Sequence, residues 1–123
     1  MFSVLTHLFL LLVEDNLPDA VIIKMQLKTI QNLKVDLTHV STCQDAISCL
    51  KKTTFDVILL DLSLPDNQNL DTVKAIYKYS HDIPILILTG LDDEDIAIAS
   101  LREGAQDYLV KGEINLDLSL IHI

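Results

Sequence analysis

Basic residues are scarce in this chain. Nine Lys and Arg stand against eighteen Asp and Glu, a formal net charge of −9. The nine are scattered rather than gathered into the stripe that a phosphate backbone needs, so direct nucleic-acid binding is not expected. Glycine and proline are also few, three of each. They do not cluster, so no flexible or Pro-rich linker divides the chain, and repeats and low-complexity tracts are absent. The two cysteines, Cys43 and Cys49, fall in one predicted helix on different faces. That spacing suggests neither a disulfide nor a metal pair and suits a reducing, cytoplasmic setting. His7, His39, His81 and His122 show no paired spacing of the zinc type. The apolar opening stretch, Met1 to Val13, carries no Lys or Arg and is too short to span a bilayer. It runs into Glu14-Asp15 without a small-residue cleavage site. Neither a membrane span nor a signal peptide is expected.

What is present is a globular composition, with 50% apolar and 22% charged residues in 123, enough for one domain with its own core. Short apolar runs recur at Leu8 to Val13, Val35 to Val40, Val57 to Leu60, Ile83 to Leu88 and Tyr108 to Val110. Unbroken runs of this kind suit strands buried on both faces. Segments of helical length and period begin between them near Leu17, Cys43, Leu70, Asp93 and Ile114. Pro18 suits a first helical turn, Ser41 and Thr42 are N-cap candidates ahead of Asp45, and the acidic run Asp92 to Asp95 suits a positive helix end. Gly104 reads as a C-terminal stop. Strict strand-helix alternation implies right-handed crossovers and an α/β, doubly wound parallel sheet.

Ligands of such folds bind beyond the carboxyl ends of the strands, and chemistry collects at those ends. The first strand ends in Glu14-Asp15, the third in Asp61, the fourth in Thr89, and the fifth runs into Lys111. Taken alone, each has a plain reading: a helix-start charge pair, a loop carboxylate, a turn threonine, a surface lysine. Their joint placement points to one site. Three carboxylates in one crevice repel one another unless a hard, oxygen-seeking dication lies between them, and Mg²⁺ is the natural occupant. Asp61 is then placed to attack phosphorus and form an acyl phosphate, with Lys111 and Thr89 contacting the phosphoryl oxygens.

The stretches "LLLVEDN", "DVILLDLSLPD", "IPILILTG" and "DYLVKG" resemble, in this order and spacing, the receiver domain of bacterial response regulators. The resemblance runs from about Leu10 to about Leu120. It implies a flavodoxin-like five-stranded sheet of order 2-1-3-4-5 closed by a short final helix, and a single receiver domain over 1–123 with its core at about 8–120. It further implies Glu14 and Asp15 as the metal-binding acidic pair, Asp61 as phosphoacceptor, and the Ser63 backbone carbonyl as a further metal ligand. Thr89 and Tyr108 are the implied switch pair, and Lys111 the lysine that pairs with the phosphoryl group. A histidine kinase or histidine phosphotransfer protein is the implied phosphodonor. The chain is then a signalling module rather than an enzyme, its catalysis confined to its own aspartyl phosphate.

Two departures stand out. Asn69 occupies a position where the family usually has Gly, and Asn is the non-glycine residue that best tolerates a left-handed backbone. Gly112 follows Lys111 where many relatives have a cis proline, and a trans bond is expected. The last segment, Leu116 to Ile123, alternates Leu-Asp-Leu-Ser-Leu, a strand signal where topology asks for a helix. A short helix there would leave an apolar face that could support a homodimer. Two other functions compete: a receiver-like adaptor that needs no phosphate, and a Mg²⁺-dependent phosphatase. The intact Asp61, Thr89 and Lys111 weigh against the first. Ser63, where such phosphatases carry a second Asp, weighs against the second.

Overall fold

The computed structural model describes residues 6–111. Five strands, β1 (Thr6–Val13), β2 (Leu33–Val40), β3 (Val57–Asp61), β4 (Ile85–Thr89) and β5 (Asp107–Val110), form one sheet of order β2-β1-β3-β4-β5. All four pairings are parallel. Helices α1 (Leu17–Lys28), α2 (Cys43–Lys52), α3 (Asn69–Lys78) and α4 (Glu94–Ser100) supply the crossovers. The expected final helix from Ile114, and the Lys111–Gly112 bond, lie outside the described residues.

Every residue of β3 and β4 is buried, which is why these segments read as unbroken apolar runs rather than alternating ones. The strand period of two splits them between two cores. Leu11, Val13, Ile58, Leu60, Ile85 and Ile87 pack with Ala46, Val73, Ile76 and Ala97 from α2, α3 and α4. Leu10, Leu12, Val57, Leu59, Leu86 and Leu88 face Ala20, Ile23 and Leu27 of α1 on the other side. Each such buried Leu or Ile removes apolar surface worth roughly 1.5–3 kcal/mol from water. β2 is an edge strand, and its burial alternates accordingly.

Local chemistry sets where the elements start. The Asn16 side chain accepts the Asp19 N–H at 3.0 Å to cap α1, and Thr42 Oγ1 accepts the Asp45 N–H at 3.0 Å to cap α2, each satisfying a helix N–H that has no partner within the helix. β4 begins at Ile85 rather than at Ile83 as the apolar run suggests. The Ile83 N–H is taken by the Ser80 carbonyl at 2.9 Å, and Pro84 offers only its carbonyl, which accepts from Ile58 N at 2.9 Å. The acidic run divides between a single 3-10 turn, Leu91–Asp93, and the start of α4 at Glu94. A second 3-10 turn, Leu101–Glu103, follows α4 and ends at Gly104, whose φ is 119°. A Cβ there would come within 2.5 Å of the Tyr77 ring.

The loop after β3 leads into α3 through Asn69, whose N–H donates back to the Leu62 carbonyl at 2.9 Å and whose φ is 58°. The left-handed conformation expected at this departure from the family pattern is therefore present. Replacement of Asn69 by Ala is expected to destabilise the protein by about 1 kcal/mol, while Asn69→Gly stays within a few tenths of wild type. Urea unfolding of the three proteins checks this, and an Ala variant as stable as the Gly variant would contradict it.

Candidate functional site

The parallel sheet delivers Glu14, Asp61, Thr89 and Lys111 to one edge because β1, β3, β4 and β5 all run in the same direction and end there. Glu14 directly follows β1 and is fully buried. Its N–H donates to the Val40 carbonyl at 3.0 Å and its carbonyl lies 2.7 Å from His39 Nε2. Both ends of the residue are thus pinned to β2. Asp61, the last residue of β3, is 7% exposed, and its Oδ1 accepts the Ser63 N–H at 3.0 Å. Carboxylate oxygens of Glu14, Asp15 and Asp61 lie within 4.8 Å of one another, with Asp15 on the exposed side. This is an all-oxygen donor set that could hold a metal ion.

Lys111 reaches into this crevice from the end of β5. Its Nζ lies 2.6 Å from Glu14 Oε1, 3.0 Å from Asp19 Oδ2 and 3.3 Å from Asp61 Oδ2. The approach to Glu14 is that of an ion pair off the axis of a hydrogen bond, so Oε1 accepts no aligned donor, whereas the Asp19 and Asp61 contacts are hydrogen bonds. The backbone closes the same corner, with the Lys111 N–H donating to the Thr89 carbonyl at 2.7 Å.

Burial and crowding divide the carboxylates. Burial pushes Glu14 from 4.5 up to about 8, reinforced by the hydrogen bond it shares with Asp61 and only partly opposed by Lys111. Burial acts in the same direction on Asp61. There the bond shared with Glu14, the Ser63 N–H and the Lys111 charge outweigh it and hold Asp61 below its ordinary value. Lys111 is raised well above the usual lysine range: burial lowers it, and Glu14, Asp19 and Asp61 more than reverse that. The two neighbouring carboxyls are thus shifted in opposite directions, Glu14 made harder to ionise and Asp61 easier, the pattern of a site with divided roles.

Thr89 ends β4 almost fully buried, and its hydroxyl donates to the Gly90 carbonyl at 3.2 Å rather than to Asp61. Tyr108 does not join the crevice. It lies on β5 opposite Ile87, and its hydroxyl donates to Glu94 Oε2 of α4 at 3.3 Å. Burial and the Glu94 charge raise its phenol. Sequence reasoning missed Asp19 and Glu94. An Asp in the first turn of a helix reads as a dipole partner, and only the fold shows that Asp19 also binds Lys111. None of the described helices is long and apolar enough to cross a membrane.

A family model described as the response regulator receiver domain matches residues 10–119. Among curated proteins, the regulatory protein LuxO of Vibrio cholerae is 40% identical over 79 residues, 64% of this chain and 17% of that one. The cell cycle transcriptional regulator CtrA of Caulobacter vibrioides is 32% identical over 101 residues, 82% of this chain and 42% of that one. The chain therefore spans less than half the length of either relative. Among solved structures, the receiver domain of a sensor histidine kinase from Pseudomonas aeruginosa superposes with a TM-score of 0.76 at 26% identity over 94% of both chains. That protein has a magnesium ion coordinated in its active-site cleft. A two-component response regulator from Clostridium difficile superposes with a TM-score of 0.76 at 23% identity, covering 94% of this chain and 91% of that one, a likeness that shows the fold.

A pH dependence follows from Glu14. Its folded-state pKa of about 8 lies above the ordinary 4.5. The stability due to its bound proton is therefore complete below the ordinary value and lost as pH rises toward the folded one. Asp61 is shifted the other way, so its contribution changes only at lower pH, outside this window. Glu14→Gln never ionises. In chelator it is expected to gain on wild type between about pH 5 and pH 8.5, by on the order of 1–3 kcal/mol. Urea midpoints at the two pH values read the difference, and a gap that does not change with pH would contradict the assignment.

Proposed function

Because the chain belongs to the response regulator receiver domain family, we propose that it takes a phosphoryl group onto the Asp61 carboxylate in a Mg²⁺-dependent reaction and signals through altered protein contacts. The observation that carries this reading is the position of Asp61, bonded to Lys111 at 3.3 Å within one group of three carboxylates. Glu14, Asp15 and Asp61, with the Ser63 backbone carbonyl, would hold the ion, and their hard oxygen chemistry fits Mg²⁺. When bound, Mg²⁺ neutralises charge on the phosphoryl oxygens and on the carboxylates themselves.

The chain's own groups do the rest. An Asp61 oxygen attacks phosphorus of a phosphohistidine, an O–P bond forms as the N–P bond breaks, and the imidazole leaves with its electron pair and takes up a proton. Lys111 donates N–H bonds to the phosphoryl oxygens, as a flexible point charge with three donors can. The Thr89 hydroxyl, held only by the Gly90 carbonyl, turns to the new oxygens, a charge-assisted bond stronger than the neutral one it leaves.

The phosphoryl group adds about −1.5 to −2 charge, and Thr89 moving inward vacates space beside β5. Tyr108 rotates into that space as its hydroxyl leaves Glu94, and the face made by α4 and β5 changes: a two-state element biased by phosphate. The donor is a histidine kinase or histidine phosphotransfer protein in the cytoplasm, met by a single receiver module spanning 1–123. The acidic module contacts proteins, a second copy of itself among them, rather than nucleic acid. Regulators such as LuxO and CtrA are longer than this chain, and their further length is where other outputs belong.

Incubation with phosphoramidate and Mg²⁺, followed by intact-mass measurement in conditions that preserve acyl phosphate, is expected to add one phosphoryl group to wild type. Asp61→Ala, and wild type in EDTA, should gain none. An adduct that persists in Asp61→Ala, or none on a folded wild type that binds Mg²⁺, would contradict the proposal.

A further inference from the structure

Lys111 has more carboxylate partners than the proposed reaction uses. Its ammonium sits between Glu14, Asp61 and Asp19 at 2.6, 3.3 and 3.0 Å. Glu14 and Asp61 belong to the group whose oxygens converge within 4.8 Å, and Asp19 does not. A dication held by that group draws on the same oxygens that pair with Lys111 and repels the ammonium as a like charge. A lysine released at its tip regains the freedom of its four-carbon stem and points to water. Asp19 stands where it prevents this. Its backbone is fixed in the first turn of α1 by the Asn16 cap, and its side chain, 36% exposed, faces Lys111 at 23% exposure across the mouth of the crevice.

We infer that Asp19 is the positioning residue of Lys111: it takes over the ammonium when Glu14 and Asp61 turn to the metal, and keeps Nζ at the mouth of the crevice with donors free for the phosphoryl oxygens. The inference rests on the phosphoacceptor reading and deepens it. Without Asp19, Lys111 has only the metal-binding carboxylates as partners. It then competes with Mg²⁺ for them, which weakens cation binding, and once displaced it points to water, which slows phosphoryl uptake.

The test is a double-mutant cycle of Asp19→Ala and Lys111→Ala, with Asp19→Asn as a graded variant. It is read by calorimetric titration of Mg²⁺ and by the rate of phosphorylation with phosphoramidate. In the wild-type background Asp19→Ala is expected to weaken Mg²⁺ binding and slow phosphorylation, each roughly two- to fivefold, as for a partly exposed ion pair. Asp19→Asn, which keeps an acceptor but not the charge, should fall between. In the Lys111→Ala background Asp19→Ala should change neither quantity, because the residue through which it acts is gone. Equal fold-changes in both backgrounds, the result of a direct charge effect or a damaged α1, would overturn the inference, as would no change in either. Failure of the parent reading is separate: a wild type that shows the Mg²⁺ cycle yet takes up no phosphoryl group overturns the phosphoacceptor role and leaves Asp19's hold on Lys111 supported.

Discussion

Two carboxylates, Glu14 and Asp61, are buried side by side at the end of a parallel sheet, and the rest of the structure accommodates them. Removing a carboxylate from water costs several kcal/mol (~) even after relaxation, and two together cost more. Two devices meet this cost: the Ser63 N–H on Asp61, and the Lys111 ammonium, 2.6 Å from Glu14 and 3.3 Å from Asp61. A core built only for stability has no reason to hold such a pair. Fully apolar packing of β3 and β4 below them supplies the stability, and the strand ends carry the chemistry.

The fold brings this local chemistry together with residues distant in sequence. Parallel strands put their last residues at one level, so Asp61, Thr89 and Lys111, far apart in sequence, become neighbours through β3, β4 and β5. The bond from Lys111 N–H to the Thr89 carbonyl ties the last two strand ends together. From there the Tyr108–Glu94 bond leads outward to α4. Asp61 is thus two strands from the Tyr108–Glu94 contact on α4.

The parallel alternation of strand and helix and the place of the acidic pair at a strand end were legible because each depends on placement that a sequence carries directly, whereas the order 2-1-3-4-5 came from the resemblance to the receiver family. Unbroken apolar runs mark buried strands, and the residue after each run falls at the sheet edge. Asn69 was legible too, since its tolerance of a left-handed backbone follows from its side chain alone, and its φ of 58° bears this out. Asp19 and Glu94 were not, because their contacts with Lys111 and Tyr108 depend on how α1 and α4 rotate against the sheet. The start of β4 moved to Ile85 for a similarly local reason: the Ile83 N–H closes a turn onto Ser80, which hydrophobicity does not report.

We read the buried pair as a seat for a cation, with the raised Glu14 carboxyl giving up its share of proton when the cation arrives. Titration of Mg²⁺ into the protein at pH 7, in two buffers of unlike ionisation heat, tests it most directly. One ion per chain is expected, with a binding heat that differs between the buffers because a proton leaves the Glu14–Asp61 pair. Equal heats in the two buffers, or no binding, would contradict it.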